Sequence, residues 1–124
     1  MKKRIIIAED DLDILFTLNL MLENAGYEIE ISSSGKYILE GEYDFPDLFI
    51  LDKRIPDMDG LEVCRQLRLR PECKDIPIIV ISASPKFGPQ ALMAGANDFL
   101  QKPFQMDDLL RMVNRYTEDN NAVL

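Results

Sequence analysis

Nothing in this chain approaches the roughly 20 consecutive apolar residues that a helix needs to cross a bilayer, which excludes a helical membrane span. The N-terminus Met1-Lys2-Lys3-Arg4 is basic, but the apolar run behind it reaches only Ala8 before Glu9-Asp10. A secretory signal needs a longer apolar region, so a cytoplasmic location is expected. Positive charge is scarce: 14 Lys and Arg stand against 22 Asp and Glu, for a net charge of −8. That balance argues against a nucleic-acid partner, because binding the phosphate backbone relies on Lys and Arg. Cysteine is limited to Cys64 and Cys73, whose separation is not a metal-type spacing. Cys64 falls on an apolar helical face and Cys73 in a polar loop, and both read as reduced structural thiols. There is no internal repeat, low-complexity tract or linker, and 124 residues suit one domain over 1–124 with a substantial core.

What the chain does have is five β-rich segments: Arg4–Ala8, Tyr27–Ile31, Leu48–Asp52, Ile78–Ser82 and Asp98–Gln101. The first, third and fourth are near-continuous aliphatic runs, the pattern of parallel strands covered on both faces. Helices are expected between them. Ile14, Leu18, Met21, Leu22 and Ala25 form a stripe over Asp11–Ala25, with Gly26 as the stop. Asp59 caps a second helix running to about Leu69, before Pro71. Met106, Leu109, Leu110 and Val113 line another over Met106–Tyr116, starting near Gln105. A short helix is expected over Ser34–Gly41, and a weaker one after Ser82, where Pro85, Gly88 and Pro89 disfavour regular helix before Gln90. The tail Thr117–Leu124 is expected to fray. Five βα repeats imply a three-layer α/β domain with right-handed crossovers, whose ligand site lies at the carboxyl ends of the strands.

Those ends carry the chemistry. Asp52 closes Leu48-Phe49-Ile50-Leu51, and Glu9-Asp10-Asp11 follows Ile5-Ile6-Ile7-Ala8. Two strands ending in carboxylates suggest one acidic pocket that favours a divalent cation beside a nucleophilic carboxylate. Ser82 closes the fourth strand, and Lys102-Pro103-Phe104 follows the fifth. Taken singly, each has a plainer reading. Asp52 would be a turn residue, Glu9-Asp10-Asp11 an acidic helix start, Ser82 a hydroxyl bonded to backbone and Lys102-Pro103 a turn. Four such coincidences at one sheet edge are rejected for Glu9, Asp10, Asp52, Ser82 and Lys102. The plain reading is kept for Asp11 as a cap, for Asp57 and Asp59 as turn and cap, and for Arg65, Arg68 and Arg70 as a solvated helix face.

In order and spacing, Ile5–Asp10, Leu51-Asp52 with Pro56-Asp57-Met58-Asp59-Gly60, Val80-Ile81-Ser82-Ala83, Ala94-Gly95-Ala96 and Lys102-Pro103-Phe104 resemble the receiver domain of two-component response regulators, across essentially the whole chain. The resemblance implies a flavodoxin-like (βα)5 fold with a central parallel five-stranded sheet of order 2-1-3-4-5. It also implies a phosphoryl group accepted on Asp52 from a histidine kinase or a histidine phosphotransfer protein, with Mg2+ as cofactor. Asp10 would bind the metal directly, Glu9 through water, Asp52 by a carboxylate oxygen and Arg54 by its backbone carbonyl. Lys102 and Ser82 would contact phosphoryl oxygens, Pro103 would follow a cis peptide that aims Lys102, and Ser82 and Phe99 would form the switch. Such a protein catalyses its own phosphorylation without being a conventional turnover enzyme. The chain ends shortly after its fifth helix, so no output domain is expected and the signal would pass by protein–protein contact.

Three departures stand out from that pattern. Phe99 replaces the Tyr of many receivers, which keeps the packing half of the switch and removes its hydroxyl. The connection from Ser82 to Gly95 is short and rich in Pro and Gly. Lys53 and Arg54 flank the pocket, with the Arg54 side chain available to a phosphate or to Glu9. Two other readings stay open: a receiver-like interaction module that works without phosphorylation, and a metal-dependent phosphohydrolase. The latter wants a second Asp two residues after the nucleophile, where this chain has Arg54.

Overall fold

In the computed structural model, which describes residues 2–118, five strands alternate with five helices. The strands are β1 (Arg4–Ala8), β2 (Glu28–Ser32), β3 (Leu48–Asp52), β4 (Ile78–Ser82) and β5 (Asp98–Gln101). The helices are α1 (Leu12–Asn24), α2 (Gly35–Glu40), α3 (Gly60–Leu69), α4 (Gly88–Met93) and α5 (Met106–Thr117). All strand pairings in the main sheet are parallel, in the order β2-β1-β3-β4-β5. A two-rung antiparallel ladder between Arg54–Ile55 and Met58–Asp59 shapes the turn between β3 and α3.

The aliphatic runs form these strands because both of their faces are buried. Ile5 and Ile7 pack with Leu15, Leu18, Leu22, Leu109 and Val113 on the side of α1 and α5. Ile6, Phe49 and Leu51 pack with Ile38, Leu61, Cys64 and Leu67 on the side of α2 and α3. Successive strand residues point to opposite faces, so a run without alternation serves two core layers at once.

Helix ends follow local chemistry. The Asp11 carboxylate accepts from the backbone N–H of Asp13 and Ile14 at the start of α1, and the Asp59 carboxylate accepts from Leu61 N–H at the start of α3. Gly26, at φ +100°, occupies the left-handed conformation that follows α1.

Several details differ from expectation. β2 lies one residue later than the Tyr27–Ile31 run. On α1, Leu15 is buried and Ala25 is exposed, because the buried stripe is Leu15-Leu18-Leu22. Pro89 does not delay α4 to Gln90; the helix begins at Gly88 with the proline in its first turn, where no N–H is required, behind a 3-10 turn over Pro85–Phe87. Thr117 belongs to α5 and is buried, its hydroxyl donating to Val113 C=O and bonding the Tyr27 hydroxyl. Residues 119–124 of the expected frayed tail lie outside the described residues.

Cys73 is in a loop but fully buried, and both cysteines are free thiols. Of the basic run, only Arg65 fits a solvated face. The Arg68 guanidinium donates to the carbonyls of Gly95, Cys73, Lys74 and Ile76 and to Asn97 Oδ1. Arg70 donates to the carbonyls of Ile38 and Leu39 and lies over the rings of Tyr43 and Phe45. No helix among the described residues is long and apolar enough to cross a membrane.

Candidate functional site

Strand register brings the acidic residues together. Ala8 is level with Leu51, so Glu9 and Asp52 leave adjacent strands side by side. On the other flank of β3, Asp52 is level with Ile81, and Ser82 is level with Gln101 at the end of β5. Lys102 therefore emerges next to Ser82, and its backbone N–H donates to Ser82 C=O at 2.8 Å. The Lys102–Pro103 peptide bond is cis.

Glu9 is fully buried and Asp52 is 3% exposed. Between them sits the Lys102 ammonium, which donates to Glu9 Oε1 at 2.8 Å and to Asp52 Oδ2. The other Asp52 oxygen, Oδ1, accepts from the Arg54 backbone N–H at 2.7 Å, and Glu9 Oε2 accepts from Asp10 N–H at 3.2 Å. The carboxyl groups are thus held on both sides, and no buried side-chain polar atom among the described residues lacks a partner.

One cation does not balance two buried carboxylates. Burial, reinforced by the neighbouring Asp52, pushes the Glu9 carboxyl up to about 8, against the opposing pull of Lys102. For Lys102 burial acts downward, but the bonds to Asp52 and Glu9 outweigh it and hold the ammonium above its ordinary range.

This cluster is a set of hard oxygen donors short of positive charge, which is chemistry that suits a divalent cation such as Mg2+. Asp10 is exposed at the rim. Among the described residues no three acidic, cysteine or histidine side chains converge on one point. Glu9 and Asp52 are thus gathered around Lys102, while Asp10 stands outside. The Arg54 side chain is exposed, and Glu9 takes Lys102 rather than Arg54 as its partner.

Ser82 is 6% exposed, and its hydroxyl oxygen accepts from Ser84 N–H at 3.1 Å. Phe99 is half-buried on β5 against the same core layer as Phe87, with the Gly88 backbone close to its ring: a Cβ on Gly88 would stand 3.4 Å from Phe99 Cδ2.

Two positions support the site in ways that residue-by-residue reading did not find. Gly60 begins α3 so close to the acidic turn that a Cβ there would lie 2.0 Å from Asp52 O, and its N–H donates to Lys53 C=O. Gly60 closes the Pro56-Asp57-Met58-Asp59-Gly60 motif, and this close approach is the physical reason for a glycine there. Asp57 does more than turn the chain. Its carboxylate accepts from the N–H of Gly35 and of Lys36 and from the Ser34 hydroxyl, capping α2 from a loop 21 to 23 residues away. These three bonds hold the Asp57 carboxyl below the usual carboxylate range.

The family model described as "Response regulator receiver domain" matches residues 5–114. Response regulator MprA of Mycolicibacterium vanbaalenii is 37% identical over 129 residues, covering 98% of this chain and 55% of that protein. Response regulator MprA of Mycobacterium leprae is 38% identical over 125 residues, covering 96% of this chain and 54% of that one. The chain spans about half the length of these curated relatives.

Among solved structures, a response regulator from Chloroflexus aurantiacus superposes with a TM-score of 0.90 at 31% identity, covering 96% of this chain and 100% of the other. The receiver domain of sensor histidine kinase PA1611 from Pseudomonas aeruginosa, which has a magnesium ion coordinated in its active site cleft, superposes with a TM-score of 0.87 at 28% identity, again covering 96% and 100%. The family model, the curated relatives and the sheet order agree, and the chain belongs to the response regulator receiver domain family of two-component signalling.

Proposed function

We propose that this receiver is switched by phosphorylation of Asp52, with a phosphohistidine of a sensor histidine kinase or histidine phosphotransfer protein as donor and Mg2+ as cofactor. The observation that carries this reading is the buried Asp52 carboxylate at the end of β3, bonded through one oxygen to Lys102 and through the other to the Arg54 N–H. An Asp52 oxygen attacks phosphorus in line as the bond to the phosphorylated nitrogen of the donor ring breaks; with the donor's other ring nitrogen protonated, this leaves an acyl phosphate on Asp52 and a neutral imidazole on the donor. Asp52, the Arg54 carbonyl, Asp10 from the rim and Glu9 through water would hold Mg2+, which would supply positive charge to offset carboxylate repulsion.

Lys102 then turns its ammonium to a phosphoryl oxygen. The Ser82 hydroxyl donates to another, giving up its bond from Ser84 N–H. Phe99 follows Ser82 by packing alone, since it has no hydroxyl. The altered surface around β5 and its flanking helices passes the signal by protein–protein contact.

Incubation with acetyl phosphate and Mg2+ tests the reading by mass spectrometry. The parent protein gains about 80 Da, the mass of HPO3 in an acyl phosphate, and Asp52→Asn gains none. Equal uptake by Asp52→Asn would remove Asp52 from the chemistry. A parent protein that took up no label would favour a receiver-like interaction module working without phosphorylation.

A further inference from the structure

The residue after Asp52 makes a contact that the chemistry above does not use. The Lys53 ammonium lies 4.4 Å from the centre of the Phe87 ring while donating to Asp59 Oδ2 at 2.7 Å. Its side chain is mostly buried between these partners. Phe87 ends the 3-10 turn that follows Ser82, and the Lys86 ammonium stands 5.2 Å from the same ring. A desolvated ammonium over an aromatic face is a stabilising contact, and here it spans the gap between the acceptor turn and the β4–α4 segment.

Beside the packing of Phe87 against the core, three contacts bear on the segment from Ser82 to Gly88. Ser84 N–H donates to the Ser82 hydroxyl, and Phe87 N–H in turn donates to Ser84 C=O at 3.3 Å. Gly88 backs onto the Phe99 ring. The Phe87 ring is held by Lys53. In the switching described above, Ser82 and Phe99 both move, which releases the first two contacts and leaves the third.

We propose that Lys53 and Phe87 form a latch that favours the unphosphorylated arrangement of the Ser82–Gly88 turn, so that Phe87 sets how readily Ser82 turns toward a phosphoryl group on Asp52. Phe87 is a positioning residue: it acts through the turn that carries Ser82. The coupling to phosphorylation rests on the function proposed above; the latch itself is a property of the unmodified chain. Lys53 is anchored on the backbone side too, its N–H bonded to Ile81 C=O and its C=O to Gly60 N–H. The ammonium therefore has a fixed base from which to hold the ring.

Beryllium fluoride with Mg2+, a stand-in for the phosphoryl group that cannot be transferred, provides the test. The 124-residue parent, Phe87→Leu, Lys53→Met and the double variant are titrated and followed by amide NMR. Amide hydrogen exchange of Ser84, Phe87 and Gly88 is measured without ligand. Phe87→Leu and Lys53→Met should each lower the half-saturating concentration, and speed exchange, by about threefold to tenfold. The double variant should go no further than either single one. Phe87→Trp and Lys53→Arg, which keep a cation over a ring, should stay near the parent. Unchanged exchange in Phe87→Leu, or single effects that simply multiply in the double variant, would overturn the latch. A parent blind to beryllium fluoride would overturn the proposed function and the coupling together. A responsive parent whose midpoint Phe87→Leu leaves unmoved would overturn the coupling of Phe87 to Ser82 while leaving the proposed function standing.

Discussion

Lys102 and Glu9 are 93 residues apart in the chain and 2.8 Å apart in space, with Asp52 on the far side of the same ammonium. The lysine is therefore part of what allows two carboxylates to be buried at one sheet edge, in addition to any role toward a phosphate.

Lys102→Ala leaves those carboxylates without their cation. Removing one partner of a buried ion pair costs about 3 kcal/mol, and metal-free Lys102→Ala should lose stability on that scale in urea unfolding. Millimolar Mg2+ should restore much of it. A variant as stable as the parent in EDTA would show that the ammonium does not balance the pair.

The Glu9 carboxyl gives the metal-free protein a definite pH dependence. Its folded value of about 8 lies above the ordinary 4.5, so the folded state holds a proton that the unfolded chain releases. The contribution of this group is fully present below about pH 4.5 and is lost as pH rises through about 8. Unfolding midpoints in EDTA should fall across that window, and Glu9→Gln, which cannot ionise, should flatten the fall. An equal slope in Glu9→Gln would assign the loss to other groups.

Gly60→Ala tests the close approach behind Asp52. Its Cβ would collide with the Asp52 carbonyl, a backbone atom that yields only if the turn after β3 moves. Overpacking of this kind costs about 1–3 kcal/mol, and label uptake from acetyl phosphate should drop together with stability. Undiminished uptake would mean that the turn tolerates the shift.

Arg68→Ala separates folding from chemistry. Five bonds from one guanidinium tie α3 to the loop before β4 and to the loop before β5. Losing them should cost about 3 kcal/mol while phosphorylation at saturating acetyl phosphate persists in the folded protein. Loss of labelling without loss of stability would give Arg68 a different job.

The central strands were legible because a strand buried on both faces needs an unbroken aliphatic run, and Ile5–Ile7, Leu48–Leu51 and Ile78–Ile81 supply it. The acidic and basic ends of those strands were legible for a related reason: a charged residue directly after such a run marks a carboxyl edge, and parallel strands place all those edges together. What could not be read depends on partners far along the chain. Nothing near Arg68 shows that carbonyls at Ile76 and Gly95 await it, and nothing near Cys73 shows a core beneath its loop. The α4 start was misjudged for another reason, since proline breaks a helix interior but is accepted in a first turn. Asp10 shows the limit for the site itself. Its neighbour Glu9 is drawn inward by Lys102, whereas Asp10 remains at the rim, a distinction that two consecutive acidic letters do not carry.

The grip of Asp57 on α2 gives the molecule a built-in indicator. Both amide protons at the head of that helix rest on one carboxylate, and that carboxylate rides on the stretch of backbone leaving Asp52. Any displacement of that stretch must stretch or bend those bonds. The nitrogen resonances of Gly35 and Lys36 would then report from beyond the sheet edge on what has happened at Asp52.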